Sequence, residues 1–321
     1  MCIAEGEGLV RHIAHRLLLA IPTLLAVFTI IFIIVRIAPG DPAVAALGDY
    51  ASADAVAALR EKMGLNVPLW QQYLNFLGDL ARGDLGNSMI SQKPVIEQIA
   101  FVLPYTLELT LAAIIVGLVL GIPVGVATAV KRNSPVDYIG RVASLLGLSF
   151  PAFYLAIILM FFFAVRLGWF PAVGSAPFSE PGQNLRYLVL PAITLGLIET
   201  AYIARMTRSV MLSILSDDYV RTARAKGLQE RVVLISHALR AALIPIVSLV
   251  GIFAISLIGS SVLVEEVFAR PGLGKLMVGA TKQKDYTTLQ SIMVVYALII
   301  VLINLVTDIV YTFVDPRVRY D

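Results

Sequence analysis

Long apolar runs alternate with short polar stretches along this chain. Residues 17–37 form a nearly unbroken apolar run, about the 20 residues that cross a bilayer as a helix. The run exceeds the apolar core of a secretory signal, so it predicts an uncleaved first span. Residues 102–130 predict a second span, broken by Pro104 and Pro123, with Gly117, Gly121 and Gly125 at a spacing that lets helices approach closely. Further spans are predicted at about 142–165, with Pro151 inside, and at 187–206, 243–264 and 289–313.

The polar stretches carry local signals of their own. In residues 38–100, Ser52 is placed to cap a helix reaching Met63, and Gly64 stops it. After Pro68, residues Leu69, Trp70, Tyr73, Leu74, Leu77 and Leu80 recur at helical spacing and give one face an apolar stripe. Gly83-Asp84-Leu85-Gly86 closes that helix. A basic island, Asp217 to Pro245, separates the fourth and fifth spans. Asp217 and Asp218 stand at N-cap positions, a short helix reaches Lys226, Gly227 breaks it, and a second helix runs over 229–243 into the membrane.

Composition agrees with the pattern. Of 321 residues, 58% are hydrophobic and 15% charged, with a mean hydropathy of +0.84. Soluble domains are about a quarter charged and under half apolar, so the chain is an integral membrane protein. The distribution of its charge says more than its net of +3. Arg11, Arg16, Lys131, Arg132, the basic island, Arg317 and Arg319 all fall on one side of a six-span topology, which predicts both termini in the cytosol. The single cysteine, Cys2, excludes an intrachain disulfide, and three dispersed histidines (His12, His15, His237) offer no metal cage.

The wording YVRTARAKG…HALR…IP resembles the cytoplasmic loop of ABC importer permeases, whose motif is E-A-A-x3-G followed by I-x-L-P. Here Arg221 and Thr222 stand in place of the Glu and first Ala, Ala223 and Gly227 match, and the proline comes only at Pro245. LNVPLWQQYLNFLGDLARGDLGNS and EEVF…PGLGKL resemble the subfamily that imports di- and oligopeptides, glutathione and nickel complexes. The likeness covers about residues 17–319.

The resemblance implies an all-α polytopic membrane protein with six transmembrane helices, N-in and C-in, in the type I importer permease fold. Its parts would be a cytoplasmic N-terminus (1–16), a first span (17–37), an extracytoplasmic helical segment (38–100) and a core of five spans (101–314). A coupling loop at about 213–241, an outer loop at about 265–286 and a cytoplasmic tail (315–321) complete it. Asp218, Tyr219, Arg221, Thr222, Ala223, Arg224, Ala225, Lys226, Gly227 and Leu228 would dock on an ATPase subunit. The alternative reading of the same residues is a basic loop that fixes topology and touches anionic lipid. Segment 38–100 would contact a substrate-delivery protein or pack on the membrane domain, and the two are compatible. Implied partners are a second homologous permease, two ATP-binding subunits and an extracytoplasmic binding protein. ATP and Mg would be used by the ATPase chains, in the inner membrane of a prokaryote, with no cofactor on this chain and no nucleic acid.

Catalytic motifs do not appear. Gly272-Leu273-Gly274-Lys275 is not a phosphate loop, because Ala269 stands where its first glycine belongs and Leu276 follows the lysine. Ionisable groups inside spans are the default place to look for function. Glu199 and Glu108, with Ser149 and Ser256, are therefore candidates for a translocation pathway, and pairing within the bundle is the alternative for each. A stand-alone secondary transporter or channel is the competing class; it predicts inverted repeats that the halves of the chain do not display.

Overall fold

The computed structural model describes residues 2–37, 42–47, 52–62 and 64–314. Ala38 to Asp41, Met63 and the tail with Asp315, Arg317 and Arg319 lie outside the described residues. The helices are α1 (Cys2–Ile37), α2 (Pro42–Leu47), α3 (Ala53–Lys62), α4 (Leu69–Ala81), α5 (Val95–Val130), α6 (Pro135–Ser149) and α7 (Ala152–Leu159). They continue as α8 (Pro181–Ile214), α9 (Asp218–Ala225), α10 (Glu230–Val232), α11 (Arg240–Val267), α12 (Leu273–Lys282) and α13 (Tyr286–Val314). Two π-helical stretches interrupt the order, Met160–Arg166 after α7 and Val233–Leu239 between α10 and α11.

Among the described residues, five helices are long and apolar enough to cross a membrane: His15–Ile37, Val95–Val130, Pro181–Ile214, Glu230–Val267 and Tyr286–Val310. A sixth span requires α6 and the helix of Ala152–Arg166 to count as one, although they meet at 103°. The bend has a local cause. Pro151 forces Phe150 into extended backbone (φ −91°, ψ 129°), which no helix continues through.

Three other boundaries differ from the sequence reading. The second span is unbroken and begins earlier, at Val95, because a membrane helix tolerates Pro104 and Pro123 once its freed carbonyls find local partners. The fourth opens at Pro181, a residue suited to the first turn, and carries Arg205 and Arg208 inside its helix. The helix entering the membrane after Gly227 and the fifth span are one continuous element, Glu230–Val267.

The chain divides into two compact units, Met1–Pro104 with Gly272–Leu302, and Tyr105–Pro271 with Ile303–Asp321. In the first, α4 lays part of its apolar stripe on α1. Tyr73 meets Phe32 edge-on at 5.3 Å and shares a 2.6 Å hydrogen bond with Thr29. Arg36 Nε donates to Gln72 Oε1 at 2.9 Å, while Gln72 Nε2 donates to the Val67 carbonyl at 2.8 Å. Leu69, Trp70 and Leu74 stay exposed. Asp285 pins the segment after α4, accepting from Ser88 Oγ at 2.6 Å and Thr288 Oγ1 at 2.8 Å.

The second unit is built on close approach of α5 and α8. A Cβ at Gly117 would sit 2.7 Å from the Cβ of Glu199, and one at Gly125 only 2.5 Å from the Cβ of Thr207. Gly196 of α8 answers in kind, facing Val116 of α5. The glycine spacing read from the sequence is thus a packing face. Leu109, Leu195, Leu257, Val264 and Phe268 form one core layer of this unit, and Met211, Ala238, Ala242 and Ile246 another.

Candidate functional site

The basic island folds into a short helix held against the end of α8 and the start of the next span. Val220 and Ala223, one turn apart on α9, are buried with Val233 and pack against Ile214 and Leu215. A two-turn helix does not survive alone in water. Burial of one valine is worth about 1.5–3 kcal/mol, enough to fix which face of α9 points inward. Asp217 sits at the N-cap without a side-chain cap bond.

The C-terminus of α9 explains its glycine. Gly227 has φ +75° and donates to the Arg224 carbonyl at 3.0 Å, while Leu228 N–H reaches the Ala223 carbonyl at 3.4 Å. That pair of bonds is a Schellman motif, whose C′ residue is left-handed. Nothing lies within 4 Å of a Cβ built at Gly227, so conformation and not space demands glycine there. Arg224 then spans the turn, donating from Nε to Glu230 Oε2 at 3.1 Å and from Nη2 to Oε1 at 2.8 Å. That bond raises the Arg224 guanidinium above its ordinary value. The remaining side chains project outward: Asp218, Tyr219, Arg221, Thr222, Arg224, Ala225, Lys226 and Leu228 are all exposed. Arg221 pairs with Asp218 at 3.6 Å, both in solvent. The product is a mostly basic ridge with a small apolar foot.

Of the four pathway candidates, Glu199 and Glu108 stand at separate levels of the bundle. Glu199 is buried at 5% exposure behind Gly117, and its Oε2 has no hydrogen-bond partner among the described residues. Glu108 lies nine residues before Gly117 on α5, about 13 Å at 1.5 Å per residue. Ser149 is exposed at the end of α6 and donates to the Leu145 carbonyl at 2.8 Å, and Ser256 is exposed on α11.

Sequence reasoning missed two charge knots. In one, Arg270 is fully buried, pairs with Glu108, and lies 3.4 Å from Asn184 Oδ1 and 5.3 Å from the Tyr105 ring centre. Asn184 Nδ2 donates to the other Glu108 oxygen at 2.6 Å, and buried Glu265 accepts from Thr106 at 2.7 Å. In the other, buried Asp137 takes Arg208 bidentately, at 2.7 and 2.9 Å, together with the Asn133 N–H at 3.0 Å. No periodicity marked Arg270. Asp137 carried a weak signal, a lone acid in the first turn of a helix beside a basic turn.

A set of membrane-length helices with one short, outward-charged helix between two of them defines a polytopic membrane protein. The chain belongs to the family of binding-protein-dependent transport system inner membrane components, which matches residues 121–320, with that family's N-terminal component matching 9–110. It is 40% identical to a dipeptide transport system permease of Alkalihalophilus pseudofirmus, over 95% of this chain and 98% of that one. A glutathione transport system permease of Pectobacterium atrosepticum is 41% identical, over 97% and 100%. A putative peptide transport system permease of Brucella abortus is 43% identical, over 96% and 99%. Among solved structures, the inward-facing MetNI methionine ABC transporter superposes with a TM-score of 0.57 at 22% identity, over 68% of this chain and 96% of that one. That likeness establishes the fold. The protein is a multi-pass permease subunit of an ABC importer, of the kind that works with ATPase subunits, and the stand-alone transporter reading is set aside.

Proposed function

We propose that this permease carries peptides or peptide-like solutes such as glutathione into a prokaryotic cell, across the inner membrane, by alternating access. The observation that carries this reading is the anchored α9 ridge in a chain about 40% identical, end to end, to dipeptide and glutathione permeases. Residues Asp218 to Leu228 form the docking surface for an ATPase subunit. Small residues on the ridge permit close approach, and Arg221, Arg224 and Lys226 meet acidic groups of the partner. Two ATPase subunits use ATP and Mg, while this chain hydrolyses nothing. A second homologous permease completes the pathway, and an extracytoplasmic binding protein delivers cargo to the side bearing segment 38–100. Both termini then lie in the cytosol.

Glu199 is the strongest of the pathway candidates. A carboxyl buried in a span without a full set of partners is costly to keep. Rotation of α8 against α5 would present it to a substrate ammonium group, with Glu108, Ser149 and Ser256 as further polar groups of the route.

The test uses the assembled transporter in proteoliposomes, with ATP hydrolysis and peptide uptake measured together. Gly227→Leu, or Arg221 and Arg224 both changed to Glu, is expected to uncouple hydrolysis from uptake while insertion stays normal. Wild-type uptake in these variants at equal expression overturns the docking assignment.

A further inference from the structure

Beside the Asp137 knot the second unit contains a cavity of about 150 Å³ between α5, α6 and α8. Its wall is apolar, with Val124, Leu145 and Leu148, and its rim carries Arg141, Arg205 and Arg208. The polar residues in that wall have turned inward on themselves. Ser144 Oγ donates to the Gly140 carbonyl at 2.8 Å, and Thr128 Oγ1 lies 2.9 Å from the carbonyls of both Val124 and Gly125. Close approach fixes the wall's shape, because a Cβ at Gly140 would stand 2.4 Å from Thr128 Cγ2.

The rim is unbalanced in charge. Buried Asp137 is shared by Arg208 at 2.7 Å and Arg141 at 3.4 Å, and Arg205 is exposed with no ion pair among the described residues. The cavity's lining thus carries three guanidinium groups, two of them on the one carboxylate, next to a turn that adds Lys131 and Arg132. Arg141 lies six residues into α6, about 9 Å along its axis from Pro135. The volume equals about five waters at 30 Å³ each, room for a short run of methylenes and not for a helix.

From this juxtaposition we propose a binding site for one anionic phospholipid of the cytosolic leaflet. Its phosphate lies against Arg205 and Arg141, and the start of an acyl chain fills the slot lined by Val124, Leu145 and Leu148. Basic pockets between spans on the cytosolic side take anionic headgroups in this way. The lipid ties α5, α6 and α8 together at the end of α8 that leads into α9. The site's side of the membrane rests on the reading under Proposed function.

The experiment is native mass spectrometry of the full-length chain, purified with its ATPase subunits in mild detergent. Phosphatidylglycerol and phosphatidylethanolamine of matched acyl chains are added in turn. Wild type is expected to retain phosphatidylglycerol at least about fivefold over phosphatidylethanolamine, and Arg205→Gln to lose about fivefold of that retention. Arg205→Lys should keep it, and Ser144→Phe, which plugs the slot, should abolish it. Equal retention of the two lipids, or an Arg205→Gln chain that binds as wild type, overturns the site. So does displacement of the lipid by glycerol phosphate alone, which would make it a simple anion site. A cross-link from Arg205→Cys to a second permease would overturn it too, since the face would then be covered by protein. If the ATPase subunits fail to co-purify, the docking assignment fails, while lipid retention is still read on the chain itself.

Discussion

Arg270 and Arg224 make opposite use of the same guanidinium group. Arg270 is withdrawn completely from solvent and meets a carboxylate, an amide and a ring. Arg224 also meets a carboxylate, bidentately, yet both partners stay in water. A buried pair is costly to assemble and costlier to break, so it holds one geometry. An exposed pair adds little to stability and leaves its charge legible to another molecule. The knot around Arg270 is therefore internal framework, and the ridge around Arg224 is an exposed charged surface.

Four substitutions break or sharpen that contrast. Arg270→Met leaves Glu108 without its cation and should cost about 3–5 kcal/mol, read as a lower unfolding midpoint in detergent. A wild-type midpoint would make the knot as dispensable as the ridge. Gly125→Val tests the framework without touching charge. Its new side chain collides with Thr207 and the Ala204 carbonyl, at an expected cost of about 1–3 kcal/mol in denaturant titration.

Gly227→Ala forces a left-handed alanine and should cost about 1–2 kcal/mol, confined to the turn. Limited proteolysis should then cut near residue 227 while the unfolding midpoint of the spans stays put. Arg224→Gln should change stability by less than about 1 kcal/mol and still lower ATP-driven uptake, assayed side by side. If stability and uptake fall together, the ridge is framework after all.

Hydropathy made the spans legible, because every apolar run long enough to cross a bilayer became one helix except that at 142–165. The glycine face at 117, 121 and 125 was legible for the same kind of reason, since helical spacing places those residues in one line. Bend and knot were not. Pro151 signalled a break, but the 103° turn depends on how each half packs. Arg270, in a loop before Pro271, gave no hint that it is buried, because long-range partners at 108 and 184 decide that. The α9 turn was read correctly from Gly227, and the residues that anchor it, Val220 and Ala223, were visible as one face only once Val233 stood opposite them.

The π-helical stretch from Val233 to Leu239 joins α10, which follows the Gly227 turn at the end of α9, to a membrane span without a loop between them. A π-helical stretch of this kind accommodates one residue more than an α-helix makes of the same turns. Were it to tighten into α-helix, everything on one side would screw by about 100° and 1.5 Å relative to the other. A push on the ridge can thus arrive at Arg240–Val267 as a quantised twist, one residue at a time, instead of as a sway.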